Sequence, residues 1–244
     1  EEFKLTHEYK CHYLGEFSIN TDSLILTFSP NNYFDVNSLN LNEYSAVVGM
    51  DLGHNDATAI TVGLFHTSKS EHLILPYSVK RSGLDIEEAM LWLMEVVSNY
   101  SATGIYIDGA DKQGVEYMRK RFPIPMVAAD KRDKGTFLRA LQSDITMKRI
   151  LVDPKTCVDL LEECSSAIWD EKKKAHGHLI EDERCPVDCI DSFLYMWRHA
   201  YHYNYVSVAK KPKLDQDGYW DTYWEEKVLE MQVDENLERV LYGY

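Results

Sequence analysis

The stretch Ala46-Val47-Val48-Gly49-Met50-Asp51-Leu52-Gly53 decides the fold. Apolar or small residues run up to an acid and then a glycine, the pattern of a buried strand that stops at a carboxylate and turns. Two further segments repeat the idea. Gly104-Ile105-Tyr106-Ile107-Asp108 also ends in an acid, and Val187-Asp188-Cys189-Ile190-Asp191-Ser192 carries two acids at i, i+3 in an apolar run. Burying an unpaired carboxylate costs several kcal/mol, so acids converging in one fold repel one another unless a cation sits among them. A site for divalent metal is the first hypothesis.

Outward from that stretch, residues 46–51, 57–66 and 72–79 read as three strands with short polar turns, an antiparallel meander. Residues 84–100 predict an amphipathic helix. Ile86, Ala89, Met90, Leu93, Val96, Val97 and Tyr100 share one face, and acids fill the first turn. A buried-type strand at 104–108, a helix at 112–122 stopped by Pro123 and a short strand at 126–129 follow. Asp153-Pro154 predicts the N-cap and first turn of a helix running to Trp169, and residues 187–203 the last core helix. Residues 1–43 read as a lead-in with short strands at 9–13 and 23–27. Residues 44–205 form the main domain, and 206–244 an acidic, aromatic extension.

This order predicts an α/β fold: a mixed sheet, antiparallel meander plus parallel strands, flanked by helices. It is also the order of the ribonuclease H-like fold, in which the first and fourth strands are neighbours, placing Asp51 beside Asp108. The last helix has Val187, Ile190, Leu194, Trp197 and Tyr201 on an apolar arc. Asp188, Asp191, Ser192 and Tyr195 share the opposite arc, so two acids can approach one metal cluster.

Such a cluster suits phosphodiester hydrolysis, in which two divalent cations roughly 3.5–4 Å apart generate the attacking hydroxide and stabilise the leaving oxygen. Carboxylates are the ligands that Mg²⁺ and Mn²⁺ prefer. Taken singly, Asp108 also reads as a strand-ending turn residue and Asp188 as a helix cap.

At 244 residues and 45% hydrophobic content the chain fills a globular core. No signal peptide or membrane span is evident, and the absence of an initiator Met suggests a piece of a longer cytosolic protein. Five cysteines, without a close Cys-x-x-Cys pair, argue for reduced thiols over zinc. The net charge of −14 is a poor match for a polyanion, but Lys131, Arg132, Lys134 and Arg139 make a local basic stretch that could contact phosphate. Lys172-Lys173-Lys174 reads as a hairpin tip, a second such contact. His54, Asp56 and Asp111 are outer-shell candidates near the main acids.

The chain resembles the C-terminal nuclease domain of tailed-phage large terminase subunits, over residues 1–205. Glu2-Phe3-x5-Tyr9-Lys10-Cys11-x5-Phe17 is similar to the segment that follows the ATPase domain in that family. Asp51-Leu52-Gly53 with Asp56-Ala57-Thr58-Ala59 resembles its first nuclease strand and turn, residues 105–108 its second acidic strand, and Asp188-Cys189-Ile190-Asp191-Ser192-Phe193-x-Tyr195 its acidic helix. The resemblance implies that Asp51 bridges two Mg²⁺ or Mn²⁺ ions, that Asp108 holds one and Asp188 the other, and that Asp191 is the outer acid. Pro186 and Val187 stand where the family has a His-Asp pair.

It also implies an endonuclease that cuts concatemeric double-stranded viral DNA during genome packaging in the host cytoplasm. Its partners would be an ATPase domain in the full-length chain, a portal protein and a small terminase subunit, with no membrane. Two rivals remain at this stage: an actin-like or sugar-kinase-type nucleotide-binding fold, suggested by Gly49-x-Asp51-x-Gly53, and a non-catalytic docking domain. No Walker A loop is present to power translocation.

Overall fold

The structure is a computed structural model that describes residues 23–53, 57–67, 72–108, 120–122, 126–175 and 178–204, with side chains to residue 200. Strands β1 (Tyr44–Asp51), β2 (Ala57–His66) and β3 (Leu73–Ser82) form the meander, and helix α1 (Ile86–Tyr100) follows. Then come β4 (Gly104–Ile107), β5 (Met126–Ala128), α2 (Lys134–Thr146), β6 (Ile150–Val152), α3 (Val158–Ser166), α4 (Glu171–Ala175) and α5 (Asp188–Asn204). The sheet order is β5-β4-β1-β2-β3-β6. The meander pairs antiparallel, whereas β1 with β4, β4 with β5 and β3 with β6 pair parallel. This is the mixed-sheet, ribonuclease H-like architecture expected from the sequence.

The period-2 alternation of β1 and β4 decides where the acids point. Ala46, Val48 and Met50, with Ile105 and Ile107, pack into a core under α1, where Met90, Leu93 and Val96 meet them. Val47 and Tyr106 face the opposite core, built on α2, α3 and α5. Asp51 and Asp108 continue that second set, so both strands deliver their acids to the α5 side. Helix α5 lies so close to β1 that a Cβ on Gly49 would sit 2.8 Å from both Met196 N and Met196 Cβ, besides colliding with Ser192 O. Only glycine admits that approach.

Several local expectations are corrected. The basic stretch after β5 is not merely a surface run: Leu138, Leu141 and Ile145 are the buried stripe of α2, and Ile150–Val152 adds a sixth strand beside β3. Asp153 does not cap a helix. Its buried carboxylate accepts Val36 N–H at 3.0 Å and Lys155 N–H at 2.8 Å, which holds the chain in a turn until α3 starts at Val158. Helix α3 then stops at Ser166, because Ile168 and Trp169 bridge to Leu24 and Glu181. Residues 23–27 make that one bridge and no regular strand. Lys172, Lys173 and Lys174 lie in the short helix α4, not at a hairpin tip.

Helix α1 starts at Ile86, which is exposed rather than part of the apolar face; Asp85 caps it in a capping box with Glu88. Residues 120 and 121 are helical. The rest of the expected 112–122 helix and the strand at 9–13 lie outside the described residues.

Candidate metal centre

Parallel pairing sets Met50 opposite Ile107, and Asp108 N–H donates to Met50 O at 2.9 Å, so Asp51 and Asp108 stand side by side at the ends of β1 and β4. Across from them, the first turn of α5 carries Asp188 and Asp191. Sequence periodicity assigned those acids to a polar arc with Ser192 and Tyr195. In the fold that arc is buried as well. Ser192 closes a chain of hydroxyls, its Oγ 2.7 Å from Thr61 Oγ1, which is 2.7 Å from Ser78 Oγ. The chain ties α5 to β2 and β3 beneath the acids.

The start of α5 is anchored by a residue that sequence reading missed. Glu163 of α3 is 2% exposed and accepts N–H bonds from Cys189 at 2.8 Å and Ile190 at 3.1 Å. A carboxylate on orphan donors at a helix N-terminus is stabilising. Lys80 of β3 pairs with Glu163 at 2.7 Å and reaches Asp188 at 3.8 Å. The signal for Glu163 was an acid on the apolar stripe of a helix, between Leu160 and Cys164. Lys80 carried no comparable signal.

Two more lysines meet the acids. Lys131 pairs with Asp108 Oδ2, leaving Asp108 Oδ1 buried without a hydrogen-bond partner. Lys134 Nζ lies 2.6 Å from Asp191 Oδ1 and 2.6 Å from Glu181 Oε1. These contacts are ionic rather than well-directed hydrogen bonds. Burial works against the Lys134 charge, yet Asp191 and Glu181 hold its pKa above the ordinary lysine value. Arg132 instead pairs with Asp130, and Arg139 is exposed on α2. Arg198 of α5 donates to the carbonyls of Asp130 and Arg132 and so fixes the loop that carries Lys131.

Asp51 has no lysine of its own. Burial first, then the charges of Asp191, Asp108 and Asp188 in that order, push its pKa up to about 8. Burial likewise raises Asp191 to about 6, against the pull of Lys134. Burial and the same acids push the Tyr195 phenol well above its ordinary range, so it keeps its proton. Asp191 therefore acts more strongly on Asp51 than Asp188 does, although the resemblance had marked Asp188 as the inner acid.

Among the described residues no three acids already surround one point at ligating distance. The donor set nevertheless fits a hard cation. It is all carboxylate oxygen, one oxygen is buried and unpartnered, and one acid is pushed towards protonation by its neighbours. His54, Asp56 and Asp111 lie outside the described residues.

Sheet, helices and acidic centre together define a ribonuclease H-like α/β protein. No family model and no curated protein sequence matches the chain. Solved structures do. The full-length large terminase of a thermophilic bacteriophage superposes with a TM-score of 0.62 at 16% identity, over 80% of this chain and 52% of that one. The nuclease domain of the large terminase g2p of bacteriophage SPP1, with bound Mn, gives 0.55 at 13% over 72% and 98%. The large terminase nuclease of thermophilic phage G20c gives 0.53 at 13% over 73% and 95%, and another structure of it holds magnesium. The fold is that of a large-terminase nuclease domain, and the chain spans about half the length of the first of these terminases.

Proposed function

We propose that this domain is a divalent-metal-dependent endonuclease acting on double-stranded DNA, within the large subunit of a phage DNA-packaging motor. The observation that carries the reading is the convergence of Asp51, Asp108, Asp188 and Asp191 from two adjacent strand ends and one helix. The likeness to terminase nuclease domains that hold Mn and magnesium supports it. In a full-length chain an ATPase domain would precede this one, and the portal and small subunit would be its partners in the host cytoplasm.

Asp51, at the centre of the acids, is the proposed shared ligand, with Asp108 on one side and the α5 acids on the other. When bound, two divalent ions supply an activated hydroxide and stabilise the departing oxygen. The chain's own groups do the positioning: Glu163 and Ser192 hold α5, and Arg198 holds the Lys131 loop. Tyr195, kept protonated, is a hydrogen donor facing the acids. Arg132 and Arg139, with Lys131 and Lys134 once released from their carboxylates, would contact phosphate.

Cleavage of supercoiled plasmid with Mn²⁺ and without ATP tests the function. Cutting by the wild type, lost in Asp51→Asn and Asp108→Asn with the fold intact, is the expected result; cutting by those variants would remove the reading. The same assay ranks the helix acids. Because Asp191 acts more strongly on Asp51, Asp191→Asn should abolish cutting at any Mn²⁺ concentration, whereas extra Mn²⁺ should partly restore Asp188→Asn. The reverse pattern would return Asp188 to the inner position.

A further inference from the structure

Glu181 was not among the acids that sequence reading selected, and it lies outside the acidic motif of α5. Its side chain is 15% exposed and shares the Lys134 ammonium with Asp191, itself 14% exposed, at 2.6 Å from each. A monovalent cation is thus held between two shielded carboxylates, one of which belongs to the proposed metal centre. Its charge also reaches the centre, since Glu181 helps raise both Asp191 and the Tyr195 phenol. Val187 leaves the start of α5 one acid short of the motif it resembles, and Glu181 brings a carboxylate from the preceding segment.

We propose that Glu181 is a further acid of the metal centre, and that the Lys134 ammonium between it and Asp191 fills a cation position for which divalent metal must compete. The inference rests on the metal reading above. Removing the ammonium leaves two close carboxylates uncompensated, which favours any divalent cation that can replace it. At an effective dielectric of about 20, one unit charge a few ångströms away is worth several kcal/mol, so even a heavily relaxed effect is readable as a change in affinity. The site's affinity for metal would be set in part by how firmly Lys134 is held.

The test is calorimetric titration of the 244-residue chain with Mn²⁺ alone, beside thermal melts with and without Mn²⁺. Lys134→Met is expected to bind Mn²⁺ about tenfold more tightly than the wild type, to melt lower without metal and to gain more from it. Glu181→Gln is expected to bind about tenfold more weakly. Should Lys134→Met fail to fold, the double variant keeps the charge balance: within the Glu181→Gln background, Lys134→Met should still tighten Mn²⁺ binding. Unchanged or weaker binding on removal of Lys134, or an unaltered Glu181→Gln, would overturn this inference while leaving the metal centre standing. A wild type that binds no Mn²⁺ overturns both.

Discussion

The acids of the centre differ from one another in what compensates them, and that difference has a pH signature. Lys131 answers Asp108, Lys134 answers Asp191 and Lys80 reaches Asp188, while Asp51 is left among its neighbours. The Asp51 pKa is raised from 3.8 to about 8, so between those values the metal-free native state binds more protons than the unfolded chain. Its contribution to stability is therefore full below the unfolded pKa and falls as pH rises, flattening above about 8. Asp191 adds the same sign up to about 6. Melts of the metal-free protein should decline across this window, and Asp51→Asn should decline less. Mg²⁺ affinity should rise over the same interval, because ligands must be deprotonated to bind. A flat wild-type profile would count against an uncompensated Asp51. The strand-ending acids were legible in the sequence because a carboxylate closing an apolar run is anomalous on its own. Glu181 was not, since it sits in the acidic run Glu181-Asp182-Glu183, where nothing local marks one carboxylate as buried.

Among the elements, α5 does the most to build the site, and its first turn depends on Glu163. Replacing Glu163 by Ala leaves two buried N–H groups without their acceptor and Lys80 without its closer partner. A loss of about 2–4 kcal/mol is expected in urea unfolding, together with weaker Mn²⁺ binding as Asp188 and Asp191 lose their fixed start. Glu163→Gln should recover part of the stability, having kept an acceptor. If stability falls but Mn²⁺ binding does not, the anchor serves the fold alone. The meander, α1 and α5 were legible because each carries a long periodic pattern. The α2–β6 unit was not, for a physical reason. Its apolar stripe of Leu138, Leu141 and Ile145 is diluted by basic and polar residues. The three-residue β6 owes its pairing to β3 rather than to its own pattern. The Asp153 misreading has the same origin, a cap-like dipeptide whose carboxylate is claimed by a backbone N–H at Val36, far away in sequence.

For the whole molecule, a net charge of −14 opposes a polyanionic partner, so attraction has to be local. Arg132 and Arg139 are exposed, whereas Lys131 and Lys134 are committed to acids in the metal-free protein. Binding to duplex DNA should then be weak without metal. With metal, its logarithmic salt slope should correspond to about three or four phosphates, falling by about one for each of Arg132→Gln and Arg139→Gln. Affinity should hardly vary with sequence. Titrations at several salt concentrations check this, and an unchanged slope in both variants would place the DNA elsewhere on the surface. Among the described residues no helix is long and apolar enough to cross a membrane.

The contact at Gly49 bears on how such a site keeps its dimensions. Because the backbone of α5 rests directly on that of β1, with no side chain between them, the gap separating strand acid from helix acid is set by a hard stop. Core side chains elsewhere can swell, shrink or drift without being transmitted to it. The gauge of the catalytic slot is thus insulated from the ordinary turnover of the hydrophobic interior, as long as one hydrogen atom remains where every other amino acid has a carbon.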